Sequence, residues 1–170
     1  MKKALLIILS FISINCMAQQ SKIEVSKDSA TGSLVFNGTL TYADLQNEQS
    51  FTWLKTGMDD YTPDNQYVPF LADHLKDYKL VIFLGTWCDD SHYWIPKLFK
   101  LMKVINYPIQ ELTMYGVDRQ KMTKSGAQNE YNVKYVPTII LIKDGKEAGR
   151  ITESAMNGLE ADLKKIIEGK

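Results

Sequence analysis

At 170 residues, 45% of them hydrophobic, the chain suits one compact domain with a core large enough to fold unaided and leaves no room for a second full domain. Its 20 basic and 20 acidic residues balance, and no basic run or stripe is present, which sets nucleic-acid binding aside.

Residues 1–18 have the parts of a secretory signal peptide: Lys2 and Lys3, an apolar segment from Ala4 to Ile14, then a short polar stretch ending in Cys16-Met17-Ala18. An apolar run of 11 residues is shorter than the about 20 that a membrane-spanning helix requires, so no membrane span is expected. Cleavage after Ala18 is the expectation, with small residues Cys16 and Ala18 at the two positions a signal peptidase inspects. The mature protein would then be exported, to the periplasm or cell envelope or beyond the cell, with 18 basic residues against 20 acidic ones. A rival route makes Cys16 the acylated first residue of a lipoprotein, although Ser13-Ile14-Asn15 matches that pattern poorly. Both routes leave Cys88 as the single free thiol and exclude an internal disulfide. In an oxidising compartment such a thiol is either buried and inert or exposed to meet another molecule's sulfur.

Residues 19–32 are polar without an apolar period and read as a flexible leader. Ser33 to Phe36, Asn37-Gly38 and Thr39 to Thr41 suggest a short hairpin. From Tyr42 the spacing of Leu45, Phe51, Trp53 and Leu54 fits a helix, Pro63-Asp64-Asn65 marks a break, and Pro69 suits the first turn of a helix running to about Tyr78. Lys79 to Leu84 is a continuously apolar strand of the kind covered on both faces. It delivers Gly85-Thr86-Trp87-Cys88 to a helix whose buried face carries Ile95, Leu98, Met102 and Ile105, with Pro96 inside it. A second strand is expected over Ile109 to Val117, a charged loop over Asp118 to Ser125, and one or two helical turns over Gly126 to Asn132. Thr138 to Ile142 and Glu147 to Thr152 are strands joined by the turn Lys143-Asp144-Gly145-Lys146, and Asn157 to Glu168 is an amphipathic helix with capping-box spacing between Asn157 and Glu160.

A thiol at a helix N-terminus meets unpaired backbone N–H groups and the positive end of the helix dipole, both of which favour thiolate. Asp89 and Asp90 oppose that effect with comparable strength, so only modest activation of Cys88 is expected. The two acids are also simply the residues a helix start favours, and His92 reads as a solvent-facing first-turn residue. A metal site is not expected, because His74 and His92 with Cys88 form no pair of ligand motifs, and no cofactor is implied. A peroxide-reducing role fails on spacing, since Thr86 stands two residues before the cysteine rather than three.

Trp87-Cys88-Asp89-Asp90-Ser91, Pro96 in the following helix, Val136-Pro137-Thr138 and Asp144-Gly145 together resemble the thioredoxin family over about residues 79–168. The resemblance implies a three-layer α/β sandwich with a central mixed sheet, here over 79–170, on which an N-terminal extension over 33–78 packs. It implies that Cys88 is the attacking cysteine, that Trp87 flanks the site, and that Val136 and a cis Pro137 line the place where an extended substrate segment binds. Two departures stand out: Ser91 replaces the resolving cysteine, and Ile82 occupies a strand position where many thioredoxins keep a buried acid. A mixed disulfide at Cys88 would therefore wait for an outside thiol, with the Ser91 hydroxyl either tuning the thiolate or bonding within the helical turn. The expected partner is a protein thiol or disulfide, or a small thiol, met by a monomer. A redox-inactive peptide or protein binding module using the Val136-Pro137 groove is the competing expectation.

Overall fold

In a computed structural model the described residues are 22–169. The signal segment, Cys16 and the first part of the leader lie outside them. Six strands form one sheet in the order β1-β2-β4-β3-β5-β6, with β1 Lys22–Lys27, β2 Leu34–Leu40, β3 Lys79–Leu84, β4 Thr113–Gly116, β5 Thr138–Lys143 and β6 Lys146–Thr152. Strands β3 and β4 run parallel, while the other neighbours are antiparallel. The helices are α1 Tyr42–Asn47, α2 Thr52–Asp59, α3 Val68–His74, α4 Asp89–Val104, α5 Ala127–Glu130 and α6 Leu159–Ile167. Among the described residues no helix is long and apolar enough to cross a membrane.

Alternation along β3 assigns the layers, because successive side chains leave a strand on opposite faces. Leu80, Ile82 and Leu84 point into a large core with Ile95, Leu98 and Phe99 of α4, Leu71 of α3 and Leu163 of α6. Val81 and Phe83 point the other way, into a smaller core with Val117, Ala127, Val133, Val136 and Ile140. The result is a mixed sheet between two helical layers, as expected of a thioredoxin-like fold with an N-terminal extension. Ile82 is fully buried, so an apolar side chain fills that point of the core.

The N-terminal part differs from the sequence expectation. Lys22–Lys27, read as part of a flexible leader, is the edge strand β1, paired along its length with β2. Its side chains are almost all exposed, so backbone hydrogen bonds hold it and no apolar period betrays it. Asn37-Gly38 is not a turn but the middle of β2, and the hairpin turn spans residues 28–33 instead. A Cβ on Gly38 would lie 2.2 Å from the Lys22 carbonyl oxygen, so the glycine serves close approach of two backbones, at a φ of 122°.

The segment from Tyr42 forms two helices, broken at Glu48 to Phe51, and Thr41 and Asp44 make a capping box at the first. Ile109–Glu111 is a single 3-10 turn, so β4 is shorter than expected. Helix α6 has Gly158 at its N-cap with no side-chain bond; the expected Asn157–Glu160 box is absent because Asn157 Nδ2 donates to Asp162 and the Tyr61 hydroxyl donates to Glu160.

Candidate active site

The thiol loop is built by three contacts that none of its local patterns announces. Thr86 is buried, and its hydroxyl accepts the Phe36 amide at 3.0 Å and donates to the Leu34 carbonyl at 2.8 Å, fastening the loop after β3 to strand β2. The Trp87 indole N–H donates to the Val117 carbonyl at 2.9 Å, laying the ring over the end of β4. Beneath the ring is Gly85, where an added Cβ would fall 2.8 Å from Trp87 Cε2 and 3.1 Å from Cys88 Cβ. The absence of a side chain there is what lets tryptophan and cysteine sit side by side.

Cys88 occupies the N-cap of α4 and is half-buried, packed against the smaller core. Its S–H donates to the Val136 carbonyl at 3.5 Å, and the Val136–Pro137 peptide bond is cis. The structure thus brings Trp87, Cys88, Val136 and Pro137 together, as the family resemblance implies. Val136 and Pro137 are themselves buried, and the Val136 backbone carbonyl is the group that meets the thiol.

Ser91 lies one turn into α4 and is completely buried. Its hydroxyl oxygen accepts the Gly85 amide at 3.2 Å, closing the turn onto the strand that precedes it. That bond gives Ser91 a definite local task in shaping the thiol loop. His92 is not solvent-facing as expected: its ring stacks on Trp53 at 4.5 Å, and Nε2–H donates to the Thr86 carbonyl at 2.8 Å. The carbonyl acceptor fixes the proton on Nε2, leaving Nδ1 turned toward Asp89 at 4.0 Å. Helix α2, from the extension, therefore supports the thiol helix directly.

A further group enters from the β1–β2 turn. The Asp28 carboxylate is buried, accepts the Thr31 and Ala30 amides and the Thr31 hydroxyl, and is gripped by Nε and Nη2 of Arg119. The Arg119 guanidinium holds the Asp28 carboxyl far below the usual carboxylate range, with Thr31 adding to the effect against the opposing influence of burial. Arg119 is in turn held above its ordinary value, first by its hydrogen bonds to Asp28, against the opposing influence of burial, with the Asp89 carboxylate adding a smaller contribution. Its guanidinium carbon lies 4.7 Å from the centroid of the Trp87 ring. Neither Asp28 nor Arg119 carries a sequence signal for their contact, since they stand 91 positions apart.

The family model for thioredoxin matches residues 62–167. Thioredoxin Y of the chloroplast from Oryza sativa subsp. japonica is 32% identical over 71 residues, which is 42% of this chain and only 39% of that protein's length. Among solved structures, thioredoxin from Fasciola hepatica is 27% identical, with 59% of this chain and 86% of that chain covered and a TM-score of 0.39. A protein of unknown function from Pseudomonas aeruginosa is 13% identical, covering 76% of this chain and 86% of that chain at a TM-score of 0.43.

Proposed function

Because the chain belongs to the thioredoxin family, we propose that it is a single-cysteine thiol:disulfide exchange protein of the cell envelope. The Cys88 thiolate attacks one sulfur of a partner's disulfide, a new S–S bond forms to Cys88, and the partner's other sulfur leaves as thiolate with the electron pair. The proton that Cys88 gives up on ionising goes to water. With Ser91 in the resolving position, this mixed disulfide persists until an outside thiol, on a protein or a small molecule, attacks and releases it.

The observation that carries this reading is the sulfur of the half-buried residue Cys88, 3.5 Å from the carbonyl of Val136 at a cis Val136–Pro137 bond. An extended partner segment lying along that backbone would bring its own sulfur to Cys88. Export is supported by the composition of residues 1–18, which have the order of charges and apolar residues that a signal peptide needs.

Capture from an envelope extract tests the reading. The unaltered protein is expected to recover partners as adducts that survive denaturation and are released by a small thiol, and Cys88→Ala to recover none. Equal recovery by Cys88→Ala without any covalent adduct would make the protein a binding module that uses the Val136–Pro137 groove.

A further inference from the structure

Two cations lie over the ring of Trp87, the residue that precedes the thiol. The guanidinium of Arg119 lies 4.7 Å from the ring centroid, and Lys121 Nζ lies 5.6 Å from it. Such placement over an aromatic face is favourable in itself and keeps a positive charge near one spot. Arg119 is further restrained, because two of its nitrogens grip the buried Asp28 carboxylate, which the amides of turn residues Ala30 and Thr31 also hold. Among the described residues, no hydrogen bond engages the remaining Nη1, and the side chain is 41% exposed. One edge of a fixed, permanently charged donor fork thus remains open over Trp87, the residue that precedes Cys88.

The acids nearby are differently disposed. Asp89 and Asp90 stand exposed in the first turn of α4, and Asp118 accepts the Met122 amide within its own loop. The charges of Asp89 and Asp90 project into solvent, where ions screen them, whereas Arg119 is anchored by Asp28 over Trp87.

We propose that Arg119, pinned by Asp28 against Trp87, is a specificity-determining residue that favours disulfides carrying a carboxylate close to the reacting sulfur, with Lys121 as a second and weaker cation. The inference rests on Cys88 being the exchange thiol. It also gives the β1–β2 hairpin, which lies outside the residues that match the family, a part in choosing the partner. The chemistry is that of the exchange step above: the carboxylate meets the open guanidinium edge while the adjacent sulfur accepts attack.

Two chromogenic probes separate the possibilities: a dianionic bis(nitrobenzoate) disulfide and a neutral dipyridyl disulfide, each releasing a coloured thiolate or thione. For the unaltered protein, Arg119→Gln and Lys121→Gln, the quantity read is the ratio of anionic to neutral rate constants at low ionic strength. A single charge pair at about 6 Å in water predicts a fall of about threefold to fivefold for Arg119→Gln and a smaller fall for Lys121→Gln. The ratio for the unaltered protein is also expected to fall as salt rises from about 20 mM to about 500 mM. An unchanged ratio in both variants overturns the inference, even if both absolute rates drop, because a merely structural arginine slows both probes alike. Should Arg119→Gln fail to fold, Lys121→Gln and the salt series decide the matter in the same way. Failure of both probes with the unaltered protein, or equal labelling of Cys88→Ala, would instead defeat the exchange reading itself.

Discussion

The Thr86 hydroxyl receives the Phe36 amide at 3.0 Å, so the residue two places before the thiol is fastened to a strand 50 positions earlier. The same hydroxyl donates to the Leu34 carbonyl, which makes Thr86 a two-way link between β2 and the thiol loop. Thr86→Val keeps the shape and removes both bonds, stranding a buried donor and an acceptor. A loss of about 2–3 kcal/mol in unfolding free energy is expected, measured by urea denaturation. A loss below about 0.5 kcal/mol would show that the link contributes little.

Gly85 is required by its neighbours rather than by its own backbone angles. Gly85→Ala would set a methyl group 2.8 Å from the Trp87 ring and 3.1 Å from Cys88 Cβ, so the indole or the cysteine must move. Overpacking of this kind costs about 1–3 kcal/mol. Alkylation of Cys88 in the folded protein should change along with stability; unaltered alkylation at unaltered stability would contradict the packing described.

Ser91 supports two opposite substitutions. Ser91→Ala removes the acceptor of the Gly85 amide and is expected to destabilise the fold by about 1–2 kcal/mol. Ser91→Cys restores a thiol at the position of the missing resolving cysteine. It should let an adduct at Cys88 close internally, read as loss of both thiols without any added thiol. Persistence of the adduct in Ser91→Cys would mean that the second position is out of reach of Cys88.

Acid should loosen the β1–β2 turn. Arg119 holds the Asp28 carboxyl below its ordinary value, so the associated stability is fully present above the unfolded carboxyl's value of about 3.9 and is lost as pH falls toward the folded one. The stability gap between the unaltered protein and Asp28→Asn is therefore expected to be constant from pH 7 to about 5 and to narrow below about 4. Urea midpoints across that range check it; a gap that widens in acid would reverse the sign.

Much of the central fold was legible because β3, α4 and the β5–β6 hairpin announce themselves by apolar runs, helical spacing and an Asp144-Gly145 turn. The thiol site was legible through the family resemblance, whose matched residues Trp87, Cys88, Val136 and Pro137 lie at the ends of those elements. The N-terminal part was not. Strand β1 buries almost no side chains, and Gly38 imitates a turn while serving a close backbone crossing. Thr86, Arg119 and His92 act through partners on distant segments, and a hydroxyl, a guanidinium or an imidazole carries no local mark of such a contact.

In the exchange proposed for Cys88, one sulfur captures a partner and needs another molecule to let it go. Intact-mass measurement after incubating the folded protein with oxidised glutathione addresses it most directly. One adduct per chain is expected, mapped to Cys88, stable until a small thiol is added and absent in Cys88→Ala. A folded chain that stays unmodified, while the urea-unfolded chain takes up the adduct readily, would contradict it.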